Sequence, residues 1–396
     1  MLTQRQLFFN HLAQTSETPL ALEIEKAEGI YLIDVSGKRY MDLISGISVS
    51  NVGHRHPKVL AAIHHQLEKY MHLMVYGEFI QSPQVQLAKL LSDNLPENLS
   101  SVYFVNSGSE AIEGAMKLAK RFTGRTEIIS FKNAYHGSTH GSLSIMGNEE
   151  FKNAFRPLLP DIRQIEYNKI NDLKQITTHT ACVIIETIQG EAGAIIPQND
   201  FLKLLKKRCN EVGALLVADE IQCGFGRTGK LFAFEHYNFI PDILCLAKGM
   251  GGGMPIGAFI SSKEIMHSLT NNPHLGHITT FGGHPVSCAA SAATLTVLLE
   301  EKLIELVETK EKLFRSLLKH SRIKSINGKG LLLAVEFESY ELNKKIIDKC
   351  IEKGVITDWF LFNSHSMRIA PPLTITEEEI TAACEIILEC IGYENE

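Results

Sequence analysis

The chain has 396 residues, 44% of them hydrophobic and 21% charged, with a formal net charge of −6. That length buries a large core and exceeds the usual size of one domain, so a large domain with a smaller companion is expected. The mild acidity and the shortness of every Lys/Arg run exclude a phosphate-binding face for nucleic acid, and no segment offers the ~20 consecutive apolar residues of a membrane span.

In chain order, the opening "MLTQRQLFFNHLAQTS" is too poor in apolar residues for a secretory signal and lacks a small-residue cleavage site. Residues 30–43, "IYLIDVSGKRYMDL", alternate and break at Ser36–Gly37, which predicts a small hairpin. "HPKVLAAIHHQLEKY" predicts a helix that starts at Pro57 and carries Leu60, Ile63 and Leu67 on its apolar stripe. From about residue 102 to 260, short apolar runs such as "CVIIE", "LLVADE" and "ILCLAK" recur. Between them lie segments of helical period, among them "DFLKLLKKRCNEVG", with Asp200 as cap and Gly213 as stop. Runs apolar on both faces that alternate with helices predict an α/β fold, a mainly parallel sheet with helices on both sides. After about residue 286 come two long helices, the strand "GKGLLLAVEF", another helix, short strands through "MRIAPPL" and a last helix with Thr376 and Glu379 at capping-box spacing. This part predicts a smaller α+β domain. The expected division is 1–45 as an N-terminal segment whose hairpin joins the small domain, 46–285 as the large domain and 286–396 as the small one. The eight cysteines are scattered through apolar runs without a C-x-x-C pair, the pattern of reduced thiols, so a cytoplasmic protein is expected. His54 and His56 of "GHRHP" lack a matching Cys/His pair, so no metal site is expected.

In such a sheet ligands bind beyond the carboxyl ends of the strands, and four polar features fall there. "VNSGSEA" places Ser107 and Glu110 at capping-box spacing, with Gly108 and Ser109 leaving free N–H groups at a positive helix end suited to a phosphate. Asp219 of "LLVADEIQCGFGRTG" follows an apolar run, and a buried carboxylate there needs a cation or several donors. Glu186 ends "CVIIE", with Glu191 in the glycine-rich turn beyond it. Lys248 ends the apolar run of "DILCLAKGMGGGMPIGAF". Taken singly, each has a plain structural reading: a cap, an ion pair, a lysine reaching water. Together they are the protein's parts for pyridoxal phosphate: a phosphate cradle, a carboxylate for the ring nitrogen and an imine-forming lysine. The glycines after Lys248 are expected to let the backbone approach that ligand and turn sharply.

With "GHRHP", "NSGSEA", "NAYHG", "QGEAG", "DEIQCGFGRTG", "AKGMGGGMPIGA", "TTFGGHP" and "MRIAPPL" in this order, the chain resembles the class III, ω-amino-acid-type aminotransferases of pyridoxal-phosphate fold type I. It is most similar to the acetylornithine, ornithine and 4-aminobutyrate branches. The resemblance implies Lys248 as Schiff-base lysine and proton shuttle, and Asp219 as partner of the pyridine nitrogen. It implies Gln222 at the ring 3-oxygen, Ile221 under the ring and Tyr135 stacked above it. Ser107, Gly108 and Ser109 would hold the phosphate, with Thr280 reaching in from a second subunit of a homodimer. His136 and Glu186 count among the cofactor-binding residues. Arg368 would bind the α-carboxylate of glutamate or 2-oxoglutarate, and Glu191 would cover that arginine while an ω-amine is bound.

One position departs from the resemblance. Relatives carry an arginine directly after "HG" that grips the donor's far carboxylate, and here Ser138 stands in that place. Either another cation, Arg39, Arg55 or Arg156, takes over, or the donor is anchored differently. The expected activity is transfer of an ω-amino group from an acetylornithine-like or ornithine-like donor to 2-oxoglutarate. The alternatives are 4-aminobutyrate, lysine or a diamine as donor, or an aminomutase or decarboxylase on the same fold. Thr187, where relatives have proline, is a second departure with no role assigned.

Overall fold

The computed structural model describes residues 2–392. Near the N-terminus β1 (Ile24–Glu28), β2 (Tyr31–Asp34) and β3 (Arg39–Asp42) form an antiparallel ladder. Asp34 makes the β2–β3 turn: its Oδ1 accepts from the N–H groups of Ser36 and Lys38, and Gly37 takes φ +85°. On its far side β3 pairs in parallel with Val355–Ile356, so the two ends of the chain share one four-stranded sheet.

The central sheet has seven strands: β4 (Ser101–Val105), β5 (Glu127–Phe131), β6 (Ile162–Ile165), β7 (Thr180–Glu186), β8 (Leu215–Asp219), β9 (Ile243–Leu246) and β10 (Gly257–Ser261), in spatial order β4-β10-β9-β8-β7-β5-β6. Only β10 runs antiparallel to its neighbours. Every residue of β7, β8 and β9 is buried, because helices cover both faces and no alternate position meets water. In-register pairing sets Glu186 beside Asp219 and Asp219 beside Cys245. The polar ends of these strands therefore emerge along one edge.

The helix Gly108–Thr123 buries Ile112, Ala115, Met116 and Ala119 and stops at Gly124, φ +69°. The helix Phe201–Val212 stops at Gly213, also φ +69°. Asp200, expected as its cap, has φ +56° and accepts no side-chain bond from the first turn. The helix Pro57–Leu67 starts at the expected proline, but its buried residues are Val59 and Gln66, and Leu67 is 41% exposed. Packing against the helix Pro285–Glu300 rotates the stripe away from Leu67.

In the C-terminal third β11 (Ser325–Lys329), β12 (Leu332–Glu336), β13 (Val355–Ile356, the partner of β3), β14 (Trp359–Phe360) and β15 (Asn363–Ile369) appear, with β11-β12-β15-β14 as an antiparallel sheet. The last helix, Glu377–Gly392, carries the expected capping box: Thr376 Oγ1 accepts from Glu379 N at 3.2 Å, and Glu379 Oε2 accepts from Thr376 N at 2.9 Å. The fully buried Arg227 ties the parts together. It donates to the carbonyls of Leu331 and Pro371, to Ser45 Oγ and to Asn51 Oδ1, so one guanidinium spans both chain ends and the central sheet. The eight cysteines are free and buried, and among the described residues no helix is long and apolar enough to cross a membrane.

Candidate active site

Beyond the carboxyl edge of the central sheet lies a cavity of about 390 Å³. Its walls bring together Ser107, Gly108, Ser109, Tyr135, His136, Glu186, Asp219, Ile221, Gln222 and Lys248, residues spread over 142 positions. Ser138, Glu191, Arg368 and Thr280 do not line it.

Lys248 follows β9 and has φ +48°, a left-handed conformation that costs a side-chain-bearing residue roughly 1–2 kcal/mol. Among the described residues its ammonium has no hydrogen-bond or ion-pair partner, and burial holds its pKa below the ordinary lysine value. The charges of Glu191, Asp219 and Glu186 oppose that shift, and Arg368 reinforces it. The glycines beyond it make the expected sharp turn, with Gly252 at φ +59° and Gly253 at φ +103°. A Cβ on Gly249 would meet Asn51 Nδ2 at 2.5 Å, and one on Gly252 would meet Thr294 Oγ1 at 2.0 Å. Both let the turn pack onto its neighbours, and only Gly253 of "GMGGG" reaches the cavity wall.

At the helix start Ser107 is extended, φ −153° and ψ 167°, and its Oγ accepts from Glu110 N at 3.2 Å. Glu110 does not complete a capping box: its Oε2 accepts from Asn106 N at 2.7 Å and from Asn106 Nδ2 at 2.9 Å. The N–H groups of Gly108 and Ser109 have no acceptor among the described residues, which leaves two first-turn donors for a ligand. A Cβ on Gly108 would lie 2.9 Å from Ile221 Cδ1, so glycine lets the helix start rest on that side chain.

Asp219 is nearly inaccessible and held by two donors: Ile221 N at 3.0 Å on Oδ1 and His136 Nδ1 at 2.7 Å on Oδ2. His136 is thus a support for Asp219, and its Nε2 is buried with no partner. Beside it Glu186 accepts from Tyr135 N at 3.3 Å and from Gly190 N at 3.2 Å. Burial, followed by the charge of Asp219, pushes the Glu186 carboxyl well above the carboxylate range. Tyr135 is half-buried, and its hydroxyl lies 3.1 Å from Ser138 Oγ.

Gln222 links the cavity to a second cluster, donating through Nε2 to Glu191 Oε1 at 3.2 Å. Arg368 grips Glu191 with both terminal nitrogens, at 2.9 and 3.0 Å. Burial alone would raise the Glu191 pKa, but the charge and hydrogen bonds of Arg368 reverse this and hold it below the usual value. Burial likewise disfavours the Arg368 cation, and the carboxylates of Glu191 and Asp358 more than restore it. Thr280 and Ser138 are exposed. None of the arginines weighed as substitutes lines the cavity: Arg39 lies over the Tyr31 ring at 3.9 Å, Arg156 pairs with Glu149 at 2.5 Å, and Arg55 is also outside.

Comparison with protein families matches residues 12–391 to the family described as aminotransferase class-III. The chain belongs to this family. Among curated relatives, the acetylornithine aminotransferase of Methanopyrus kandleri is 40% identical over 94% of each chain. Among solved structures, the ornithine aminotransferase of Toxoplasma gondii superposes with a TM-score of 0.92 at 30% identity, covering 100% of this chain and 96% of that one. The adenosylmethionine-8-amino-7-oxononanoate aminotransferase of Methanocaldococcus jannaschii gives 0.91 at 30% identity and 98% of both chains. The protein is a class III, pyridoxal-phosphate-dependent aminotransferase of fold type I.

Two features of the aminotransferase site were not read from sequence. Asp358 reaches Arg368 Nε at 2.9 Å, and only the contact between β14 and β15 brings them together. Glu220, next to Asp219, is fully buried and accepts from Thr187 Oγ1 at 2.6 Å and from the N–H groups of Ala233 and Phe234, each at 2.7 Å. Burial pushes its carboxyl up to about 7, against the pull of these donors. Thr187 thus acquires a structural reason: its hydroxyl is one of the three. Glu220→Ala strands two buried N–H groups and a hydroxyl, each worth ~1–3 kcal/mol, and is expected to lower stability by at least ~3 kcal/mol in urea unfolding. Thr187→Val removes one bond and is expected to cost ~1 kcal/mol. An unchanged urea midpoint for the Glu220 variant would show that the carboxylate does not hold the turn.

Proposed function

We propose that this aminotransferase moves the ω-amino group of an acetylornithine-like or ornithine-like donor, or of a related ω-amine, to 2-oxoglutarate, giving an aldehyde and glutamate in two alternating half-reactions. The buried bidentate pair of Glu191 and Arg368, one side chain away from the cavity, carries the proposal. Alternating donors need a site that hides its cation from an amine and then offers it to a carboxylate. A guanidinium closed by a nearby glutamate supplies that.

The residues present fit pyridoxal phosphate. The free N–H groups of Gly108 and Ser109 at a helix start suit the phosphate, and the Gly108–Ile221 contact suits a flat ring resting on Ile221. Asp219, oriented by His136 and Ile221 N–H, suits a protonated ring nitrogen; Gln222 suits the 3-oxygen, and Tyr135 the upper ring face. When bound, the cofactor supplies an electron sink for the charge left at the amine-bearing carbon once its proton is removed. Lys248 would be the covalent anchor and the group that takes this proton through Nζ and returns it; burial, which lowers its pKa, disfavours the charged form that cannot act as a base. Asp219 keeps the ring nitrogen protonated. Glu186 lies beside Asp219, and burial disfavours its charged form.

In this reading residues 46–285 hold the cofactor, and 286–396 supply Arg368. The enzyme works as a cytoplasmic homodimer with shared sites. The exposed Met71, Ile80, Leu275 and Phe281 support self-association, and Thr280, exposed and outside its own cavity, fits a contact with the other subunit's phosphate. The neutral Ser138 beside Tyr135 favours a second reading of the donor as a diamine or another amine without a far carboxylate. Holoenzyme supplied with 2-oxoglutarate and, in turn, acetylornithine, ornithine, 4-aminobutyrate, lysine and putrescine is expected to form glutamate with at least one of them. No glutamate with any would overturn the transfer reading in favour of an aminomutase or decarboxylase.

A further inference from the structure

Arg368 is held from two sides, and the two sides differ. Glu191 takes the edge formed by the two terminal nitrogens, the edge that binds a carboxylate bidentately. Nε, the remaining donor of Nη2 and the flat face of the guanidinium are taken by three consecutive residues. Asp358 Oδ1 accepts from Nε at 2.9 Å, the carbonyl of Trp359 accepts from Nη2 at 3.3 Å, and the Phe360 ring lies 4.5 Å from the guanidinium carbon. The backbone is tied at the same place: Arg368 N donates to the Asp358 carbonyl at 2.8 Å, and Thr357 Oγ1 donates to the Arg368 carbonyl at 2.6 Å.

We propose that Asp358 is the positioning residue for Arg368, fixing the guanidinium through Nε so that its terminal edge stays aimed at the substrate position when Glu191 lets go. The proposal rests on the reading of Arg368 as the keto-acid site. Asp358 does not line the cavity, so it acts through Arg368 and not on the substrate. Its contribution is both geometric and electrostatic. With Glu191 alone, opening the pair would leave a buried cation without a counter-charge, a change that is strongly unfavourable. With Asp358 in place, opening converts a cation shared by two carboxylates into a cation paired with one. The side chain is then neither stranded nor free to rotate about its long stem, and its bidentate edge meets the incoming α-carboxylate already oriented.

The test separates the two half-reactions of the holoenzyme by single-turnover absorbance changes, using putrescine or the best amine from the donor screen and then 2-oxoglutarate. Asp358→Ala is expected to raise the half-saturating concentration of 2-oxoglutarate about tenfold, the equivalent of one charge-assisted bond, while the amine half-reaction stays within about twofold. Asp358→Asn preserves shape and an acceptor for Nε, and is expected to lie between wild type and alanine. It also keeps the test open if the alanine variant folds poorly. Equal slowing of both half-reactions, or an unchanged 2-oxoglutarate dependence in both variants, would overturn the positioning role. Arg368→Ala run alongside tells the two ideas apart. If it cripples the keto-acid step while the Asp358 variants do not, only the positioning role fails; if it leaves that step intact, the acceptor reading fails and the proposal with it.

Discussion

Lys248→Ala is expected to lower amino transfer by at least ~10⁴-fold, the upper range for loss of a positioned acid–base group, because nothing in the cavity can replace it. No other lysine lines the walls, and Asp219 is committed to His136 and Ile221 N–H. The helix start at Gly108 and Ser109, proposed to hold the phosphate, lies on a different element and is untouched, so the variant is expected to keep reversible affinity for the cofactor. Borohydride treatment followed by mass measurement separates anchoring from binding. Wild type is expected to retain the cofactor covalently and the variant to release it. Full transaminase activity in Lys248→Ala would refute the assignment.

Asp219→Asn is expected to reduce the rate of each half-reaction by ~10²–10³-fold, the range seen when one preorganised electrostatic contact is removed. The substitution is nearly isosteric, but it removes the carboxylate proposed to face the ring nitrogen. It also replaces one of two accepting oxygens by a donor, which then opposes either His136 Nδ1 or the Ile221 N–H. His136→Ala leaves the carboxylate and removes only its support, so a smaller loss is expected. The half-reaction rates, measured at saturating amine, check both variants. A rate for Asp219→Asn within about tenfold of wild type would mean that the ring nitrogen does not depend on this carboxylate.

Some of these residues were legible because their signal is local. Asp219 and Lys248 each follow an uninterrupted apolar run, and such a run must be a strand buried on both faces, so its end lies at the ligand-binding edge. Gly213 marks a helix end because the required left-handed φ is a property of one residue. Spacing misled where the partner had alternatives. Ser107 and Glu110 stand at the right distance for a capping box, yet Glu110 bonds Asn106, which offers it two donors. Asp200 stands at the N-cap position, yet only its carbonyl accepts a bond from the helix and its side chain accepts none. The glycines after Lys248 make the sharp turn expected of them, and Gly249 and Gly252 also make room for Asn51 and Thr294. Pairings between distant segments left no trace in the chain order. His136 and Asp219 are 83 positions apart, and nothing in "NAYHG" indicates which carboxylate its histidine will meet.

The order of runs, turns and polar strand ends was enough to read an α/β fold, a lysine and a carboxylate at one sheet edge, and a helix start open to phosphate. Periodicity and backbone preference act over a few residues, and those features follow from them. Which side chains face each other was decided by the three-dimensional packing. The register between β7 and β8 sets Glu186 against Asp219, whose charge adds to the effect of burial in raising the Glu186 pKa. The contact of β15 with β14 gives Arg368 its second carboxylate, and the turn after β7 brings Glu191 to it across 177 positions. A buried charge is stabilised only by partners within a few ångströms, and those distances exist only once the strands have paired.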